Sequence, residues 1–254
     1  MDIHLKASHR KFAQILGDRQ GSNGQLCAAV FGAGGKSGLL RRLGGELASE
    51  HRNVLLTSLT HSEKFDGWIT LLASDMTDRE LMTQLGQGTK LHLLNAKIGP
   101  SKYSGISPEL LRRVRDRVDI CLFECDGARG SSLKAHNETD PSVPPFVSQV
   151  IVVVGADIIN TTVEGGLVHR PQLFCQLWNL ANSSLLSAVF VTRVVTSKHG
   201  YGSKIPDSVP RVYFVNKADT HPVEAEQLAK MIGRLSGFPA YMGSAKAGWC
   251  ISVA

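Results

Sequence analysis

The chain has 254 residues, a formal net charge of +6 and 43% apolar residues. This length is sufficient to bury a large core without disulfides or metals, and the composition excludes a disordered, collagen-like or coiled-coil protein. The longest apolar run covers about seven residues (150–156), whereas a membrane-spanning helix needs about 20. We therefore expect a globular protein with no membrane partner and a single domain over residues 1–254.

Cysteine usage and the N-terminal segment both favour a cytoplasmic location. The five cysteines form an odd set without a CxxC pair, which is typical of reduced thiols. Residues 1–18 contain a short amphipathic stretch but neither the apolar core nor the cleavage site of a signal peptide. The densest arginine cluster, at residues 112–117, lies on a predicted helix without interleaved aromatic residues. We expect a solvated helix face there and no nucleic-acid partner.

Short apolar segments alternate with amphipathic segments along the chain. Apolar, β-branched segments are typical of parallel strands covered by helices on both faces. Strands are predicted at residues 26–31, 54–59, 91–94, 118–123, 149–154 and 211–215. Amphipathic spacing predicts helices at residues 38–50, 78–85, 108–116, 171–180 and 223–235. This alternation predicts an α/β fold with a mainly parallel sheet flanked by helices, and long loops near residues 127–145 and 196–210.

The first predicted strand leads into a glycine-rich turn, which is followed by a helix. The residues of this segment are Gly32, Ala33, Gly34, Gly35, Lys36, Ser37 and Gly38. Such a turn presents backbone amides and the positive end of a helix dipole to phosphate oxygens. Lys36 adds a positive charge and Ser37 a hydroxyl ligand for Mg²⁺, so the sequence predicts a P-loop for a nucleoside triphosphate. The alternative is a glycine-rich turn with an incidental lysine.

Two carboxylates, Glu124 and Asp126, follow the strand predicted at residues 118–123. Such folds hold the acid that orients Mg²⁺ and its water ligands at the end of a strand next to the phosphate-binding strand. Asp126 is the first candidate for this role and Glu124 the second, and the alternative for Asp126 is a turn residue before glycine. Arg129, Lys134 and His136, in the loop that follows, are candidates for contact with a phosphate or a second substrate.

A second polar motif follows the last predicted strand and comprises Asn216, Lys217 and Asp219 in the order NKAD. It resembles the guanine-reading element of P-loop GTPases, in which the aspartate accepts hydrogen bonds from guanine while the other two residues brace the base pocket. Further along, Ser244, Ala245 and Lys246 resemble the SAK element whose backbone supports the same base. GTP is therefore expected to be favoured over ATP. The alternative is a polar turn in which Asp219 helps to cap the next helix.

As a set, these motifs resemble the YqeC family. The resemblance runs over about residues 32–246 and rests on the glycine-rich turn, the ExDGxRG segment at residues 124–130, the VHRP segment at residues 168–171 and the NKAD motif. The family is described as accessory proteins of selenium-dependent molybdenum hydroxylases. The resemblance therefore implies a P-loop NTPase-like fold, with a molybdenum hydroxylase or its cofactor-maturation proteins as partners. In such proteins the glycine-rich loop usually ends in Lys-Thr-Thr, whereas here it ends in Lys36, Ser37 and Gly38. Gly38 therefore lacks the second hydroxyl, which could contact the α-phosphate.

Three functions are compatible with the sequence. The first is Mg²⁺-dependent hydrolysis of GTP or ATP or phosphoryl transfer from it, with the catalytic candidates Lys36, Asp126, Glu124, Arg129 and His169. The second is an ATP-dependent ligase or kinase that acts on a small acceptor. The third is a non-catalytic binding or chaperone module whose conformation is set by a nucleotide. His169 and Arg170 fit a catalytic or phosphate-binding pair and the N-terminal edge of a helix, with Pro171 in its first turn, equally well.

Overall fold

The computed structural model describes residues 11–17, 25–50 and 52–253. These residues form eleven strands: β1 (Leu26–Gly32), β2 (Val54–Ser58), β3 (Ile69–Leu72), β4 (Lys90–Leu94), β5 (Ile120–Glu124), β6 (Leu133–Lys134), β7 (Gln149–Gly155), β8 (Val168–His169), β9 (Arg211–Asn216), β10 (Ala240–Ser244) and β11 (Trp249–Ser252). They also form six α-helices: α1 (Lys36–Ala48), α2 (Asp78–Gln87), α3 (Pro108–Val114), α4 (Pro171–Trp178), α5 (Ala188–Thr196) and α6 (Pro222–Ser236).

Nine of the strands form one sheet in the order β11-β10-β9-β7-β1-β5-β2-β4-β3. Every neighbouring pair is parallel except β10 and β11, which are antiparallel. The remaining two strands, β6 and β8, form a separate parallel pair. The predicted α/β class is therefore confirmed, and the architecture is consistent with a P-loop NTPase-like fold.

Both faces of the sheet are buried under helices. Along β1, Cys27, Ala29 and Phe31 belong to the core on one face, whereas Ala28 and Val30 belong to the core on the other. Helix α1 packs on the second face, and α2, α3, α5 and α6 contribute to the first. Side chains alternate between faces along a strand, so a strand covered on both sides must be apolar at every position. This is why uninterrupted apolar segments predicted the parallel strands.

The order of the strands places a crevice beside the carboxyl end of β1. The strands β2 to β5 all lie on one side of β1, and β7, β9, β10 and β11 lie on the other. In open α/β sheets, ligands bind at such a change of direction, outside the carboxyl ends of the strands. The segments at the carboxyl ends of β1, β5, β7, β9 and β10 meet at this edge.

All six predicted strands and all five predicted helices are present, with bounds that differ by at most two residues. The sequence analysis missed α5, because its four valines and phenylalanine favour a strand by propensity. Ser187 caps this helix by accepting a hydrogen bond from the amide of Phe190, and α5 packs against α6. It also missed β3, a four-residue edge strand, and the terminal strands β10 and β11. The predicted loop at 127–145 contains β6, and the one at 196–210 contains a 3-10 turn, Tyr201–Lys204.

The arginine cluster on α3 is only partly solvated. Arg112 and Arg113 are exposed, but Arg115 donates to the Phe146 carbonyl at 2.6 Å and covers the Phe146 ring. No disulfide joins any of the five cysteines, all of which lie among the described residues. Across the described part of the chain, no helix has the length and apolarity needed to cross a bilayer. The signal-peptide prediction concerns residues 1–18, of which residues 1–10 and 18 lie outside the described residues.

Gly34, in the turn between β1 and α1, yields a prediction about stability. Its φ is +94°, and a Cβ there would lie 2.2 Å from the Gly155 amide nitrogen. We expect Gly34→Ala to lower the free energy of unfolding by at least about 2 kcal/mol, since both the backbone strain and the overlap oppose the methyl group. Urea unfolding measures this change.

Gly45 supplies the matched control. It lies inside α1, and no atom of the described chain comes within 4 Å of a Cβ placed there. Gly45→Ala is therefore expected to raise the free energy of unfolding by about 0.5–1 kcal/mol, because alanine is the better helix former. Equal effects of the two substitutions would contradict the conformation of the turn.

Candidate functional site

Residues 32–35, the glycine-rich turn, adopt a conformation that requires glycine at three positions. The φ angles of Gly32, Gly34 and Gly35 are +100°, +94° and +104°, which lie in the region that side chains disfavour. At Gly35, a Cβ would also lie 2.5 Å from the Asn216 amide nitrogen Nδ2. The glycines therefore set the path of the chain from β1 into α1 rather than provide general flexibility.

Hydrogen bonds from neighbouring strands and loops hold the turn in place. The Gly32 amide donates to Asp126 Oδ1 at 2.9 Å, and the Ala33 amide donates to the Val153 carbonyl at 3.0 Å. The Gly34 amide donates to the Ser131 carbonyl at 2.8 Å. Because these three amides are paired within the protein, the first half of the turn is a rigid frame.

The second half of the turn ends in the open N-terminus of α1. The first helical hydrogen bond runs from the Leu39 amide to the Gly35 carbonyl at 3.1 Å, and no side chain caps this end of the helix. The amides of Lys36, Ser37 and Gly38 precede that bond and therefore have no intrahelical acceptor. Together with the helix dipole, these amides can bind an anion.

Lys36 lies inside the site rather than in solvent. Only 4% of its surface is exposed. Its Nζ donates to the Gly32 carbonyl at 2.5 Å and lies 3.6 Å from Glu124 Oε1 and 3.6 Å from Asp126 Oδ1. An ammonium group held between a loop carbonyl and two carboxylates can move toward a phosphate by exchanging one anionic partner for another.

Glu124, at the carboxyl end of β5, is the acid that contacts Ser37. The Ser37 hydroxyl donates to Glu124 Oε2 at 2.8 Å. Burial raises the pKa of Glu124, while Lys36 and the Ser37 hydrogen bond act in the opposite direction. A hydroxyl and a carboxylate side by side form the oxygen donor set that Mg²⁺ prefers. Of the two carboxylates, Glu124 is therefore the one that lies beside the Ser37 hydroxyl.

Asp126, the first candidate for that role, is completely buried among donors. Besides the Gly32 amide, it contacts His136 Nε2 at 2.8 Å and Lys134 Nζ at 3.0 Å. Burial opposes its ionisation, but Lys36, His136 and Lys134 outweigh burial and lower the pKa of Asp126. Both of its oxygens already have partners in the protein, so the structure supports a role in fixing the turn.

The contacts of Asp126 continue into a chain of buried charges. Lys134 Nζ also donates to Asp140 Oδ1 at 3.3 Å, and Asp140 Oδ2 accepts from Arg170 Nη1 at 2.5 Å. The pKa of Asp140 is lowered, because the Arg170 hydrogen bond and Lys134 outweigh the effect of burial. The imidazole of His136 stacks on Phe31 with the ring centres 4.5 Å apart.

Two expectations for this loop therefore need correction. Lys134 and His136 were expected to contact a phosphate or a second substrate, but their side chains are at most 3% exposed and turn inward to Asp126. Asp140 was missed. Lys134 and His136 follow the buried Asp126 closely in the sequence, and this spacing was a signal that they pair with it. Asp140 offered no such local signal.

The NKAD motif is attached directly to the glycine-rich turn. Asn216 Nδ2 donates to the Gly34 carbonyl at 2.7 Å, and Asn216 Oδ1 accepts from the Ala245 amide at 2.9 Å. One side chain therefore joins three segments that are far apart in the sequence. Lys217, with φ +68°, extends to Asp157, where Nζ lies 2.7 Å from Oδ2. Asp157 lies two residues after the end of β7, just as Asp126 lies two residues after the end of β5. This shared position could have indicated Asp157 as a site residue from the sequence.

A cavity of about 920 Å³ opens between the turn, the NKAD motif and the face of α1. Its walls include Gly35, Gly38, Asn216, Lys217, Asp219, Ser244, Ala245 and Lys246. From α1, Arg41 and Arg42 also line it. Asp219 and Lys246 are exposed at its margin. The structure thus brings the residues that the sequence analysis assigned to the base together with Gly35 and Gly38, whereas Lys36 and Ser37 lie outside the walls of this cavity.

The last two catalytic candidates lie at the edge of the site. Arg129 is exposed in the loop after β5, and His169 is half-buried at the end of β8. Partial burial and the cations Arg170, Lys134 and Arg129 lower the pKa of His169 to about 4. His169 is therefore neutral near pH 7, and Arg129 is close enough to act on it.

The described residues contain no group of three or more His, Cys, Asp or Glu side chains that could hold a metal ion. Mg²⁺ at nucleotide sites does not need such a group, because one or two protein oxygens share the ion with phosphate and water. Ser37 and Glu124 supply two such oxygens, 2.8 Å apart.

Fold and site together define an α/β protein with a P-loop NTPase-like architecture and a polar site at the carboxyl end of its central strand. A family model described as YqeC protein matches residues 28–172, which is more than half of the chain. The uncharacterized protein YqeC of Escherichia coli (strain K12) is 29% identical over 194 residues, covering 74% of this chain and 75% of that protein. The chain therefore belongs to the YqeC family, as the motifs indicated.

Replacement of Asp126 tests the buried charge chain. Asp126→Asn leaves Lys36 and Lys134 without their shared carboxylate, so we expect the free energy of unfolding at pH 7 to fall by about 3–5 kcal/mol. The folded pKa of Asp126 lies below its unfolded value of about 3.9. The contribution of Asp126 to the free energy of unfolding is thus complete above the unfolded pKa and is lost as the pH falls through the folded pKa.

Urea unfolding of the wild type and Asp126→Asn between pH 3 and 8 measures this difference. The gap should be constant above about pH 5 and narrow below about pH 4. Glu226→Gln, which breaks the exposed pair with Lys230 on α6, is the control and should have little effect. A gap that widens toward acid would contradict the assignment.

Proposed function

We propose that the protein binds a nucleoside triphosphate with Mg²⁺, with GTP favoured over ATP, and hydrolyses it or transfers its γ-phosphoryl group. The observation that carries this proposal is the position of Lys36 and the Ser37–Glu124 pair at the uncapped N-terminus of α1. Phosphoryl transfer needs positioning and charge stabilisation more than covalent chemistry from the protein, and these groups supply both.

In this proposal, the phosphates are bound by the amides of residues 35–38 and by Lys36. The amides that form the first half of the turn are paired within the protein, so the turn needs no large rearrangement to bind an anion. Lys36 exchanges its contacts at 3.6 Å with Glu124 and Asp126 for a phosphate oxygen. Preorganised donors of this kind lower the cost of binding.

Mg²⁺ would be held by the Ser37 hydroxyl, with Glu124 orienting its water ligands. When bound, the ion neutralises charge on the β- and γ-phosphates. Lys36 partly offsets the effect of burial on Glu124 and so favours its ionised form. We assign Asp126 to positioning, because it holds the Gly32 amide and Lys134 rather than facing Ser37.

The base would occupy the cavity beside the NKAD motif. The side chain of Asn216 is bonded to Gly34 and Ala245, and that of Lys217 pairs with Asp157, so both support the walls of the cavity. Asp219 is the residue of the motif that remains exposed for the base. A carboxylate offers two acceptors to the N1–H and exocyclic amine of guanine, whereas adenine has no donor at those positions. This is the basis for preferring GTP to ATP.

The biological setting follows from the family. We propose that the nucleotide-dependent step assists maturation of selenium-dependent molybdenum hydroxylases in the cytoplasm, with the hydroxylase or its cofactor-maturation proteins as partners. Membership of the YqeC family, which the sequence resemblance links to hydroxylase accessory proteins, supports this setting.

Replacement of Lys36 tests the phosphate site. We expect Lys36→Ala to weaken binding of a non-hydrolysable GTP analogue with Mg²⁺ by about 100-fold, because one charge-assisted contact is lost. Isothermal titration calorimetry measures the affinity, and phosphate release from GTP measures turnover. Lys230→Ala is the control, since Lys230 is exposed on α6 and pairs with Glu226. Wild-type affinity in a folded Lys36→Ala protein would refute the phosphate-binding assignment.

Replacement of Asp219 tests the base site. Two lost hydrogen bonds of about 1 kcal/mol or more each predict a preference for GTP over ATP of roughly 30-fold or greater in the wild type. Asp219→Asn should weaken GTP and favour XTP, because one acceptor becomes a donor facing a carbonyl. Competition binding of GTP, ATP and XTP decides this. Equal affinity of the wild type for GTP and ATP would reduce the motif to a structural turn.

A further inference from the structure

Arg129 lies at the tip of a tight turn that is fastened to the glycine-rich turn. The Ser131 amide donates to the Ala128 carbonyl at 3.0 Å, and both central residues, Arg129 and Gly130, have positive φ, +46° and +81°. These features define a turn of type I′. The Ser131 carbonyl accepts from the Gly34 amide at 2.8 Å, so the turn holds the backbone of Arg129 beside the candidate phosphate site.

The conformation of Arg129 is unusual for a surface residue. An arginine with positive φ is strained, and such strain concentrates at functional sites. Its guanidinium is exposed, and no carboxylate in the described part of the chain pairs with it. The backbone of Arg129 is held while its guanidinium reaches solvent, and such a group offers a planar fork of donors to an oxyanion.

A second strained basic residue lies on the neighbouring segment. Strands β6 and β8 pair with Lys134 opposite His169, and Arg170 follows with φ +58°. Arg170 Nη1 donates to the Ala135 carbonyl at 3.1 Å and to Asp140 Oδ2 at 2.5 Å, so its guanidinium is held in place. The register of the two short strands thereby fixes His169 beside Arg170.

Charge at this position is only partly neutralised. The Ser132 amide donates to the Leu167 carbonyl at 2.8 Å and Lys134 Nζ donates to the Gly127 carbonyl at 2.7 Å, so the turn that carries Arg129 is tied to the strand pair that carries His169. In keeping with this, Arg170, Lys134 and Arg129 lower the pKa of His169, and Asp140 raises it. Asp140 is already shared by Lys134 and Arg170. An incoming anion would therefore meet one unpaired guanidinium and a neutral imidazole, a half-buried group that can donate one hydrogen bond.

We propose that Arg129, His169 and Arg170 form a binding site for an oxyanion, a phosphate or carboxylate group, carried by a second substrate. The role of that molecule as phosphoryl acceptor rests on the proposed function. Binding of the oxyanion is independent of the proposed function, because none of the three residues belongs to the glycine-rich turn. The site is distinct from the cavity lined by Asn216 and Asp219.

Nuclear magnetic resonance of the His169 ring tests the proposal without nucleotide. The protein is titrated with pH in chloride, inorganic phosphate or succinate at equal ionic strength. An anion bound beside the imidazole stabilises its charged form, so we expect the pKa of His169 to rise from about 4 by about one unit when the site is filled. Phosphate and succinate distinguish a phosphate site from a carboxylate site.

Three variants make the result specific. Arg129→Gln should raise the pKa of His169 in chloride, because a nearby cation is lost, and should abolish the further rise with phosphate or succinate. Arg112→Gln, on the exposed face of α3, should behave as the wild type. Lys36→Ala should lose nucleotide binding but keep the response of His169, which separates this site from the proposed nucleotide site.

The outcomes divide clearly. A response to either anion that depends on Arg129 and survives Lys36→Ala supports the proposal and identifies the group that is bound. No response to phosphate or succinate overturns it, as does a response that Arg129→Gln leaves intact. A response that disappears in Lys36→Ala would also overturn it, because the anion would then occupy the glycine-rich turn.

Discussion

The buried carboxylate of Asp126 is the constraint on which the rest of the site depends. It accepts from the Gly32 amide at 2.9 Å and pairs with Lys134, His136 and Lys36. An ionised group without solvent is tolerated only when its partners are complete. The same contacts that keep Asp126 ionised therefore fix the start of the glycine-rich turn. They also hold the segment after β5, through Lys134 and His136, against Asp126. The charge chain then continues through Asp140 to Arg170, so two candidate sites share one frame.

The parallel sheet explains how distant parts of the chain reach this frame. The strands that border the site, β1, β5, β7, β9 and β10, each lead at their carboxyl ends into a segment that contributes to it. Asn216 illustrates the effect, since its amide group joins the Gly34 carbonyl and the Ala245 amide. Local sequence supplies the turn, and the topology supplies its partners. Neither is sufficient for a site of this kind.

Much of the fold could be predicted because burial on both faces leaves a clear pattern in the strands. The helix α5 could not, since its β-branched residues favour a strand and only packing against α6 and the Ser187 cap decide otherwise. In the site, the glycines and Lys36 were identifiable from local sequence. The sequence ranked Asp126 above Glu124, but Asp126 is completely buried after the end of β5 and Glu124 is the carboxylate that contacts Ser37, a difference that depends on the following loop and not on local sequence.

The central claim is that residues 35–38 bind the phosphates of a nucleotide. A crystal structure with Mg²⁺ and a non-hydrolysable GTP analogue tests it most directly. The account predicts phosphate oxygens on the amides of Lys36 and Ser37, Lys36 Nζ turned toward them, and Mg²⁺ on the Ser37 hydroxyl. An analogue bound elsewhere, with Lys36 still held at the Gly32 carbonyl and the amides of α1 in solvent, would contradict the account.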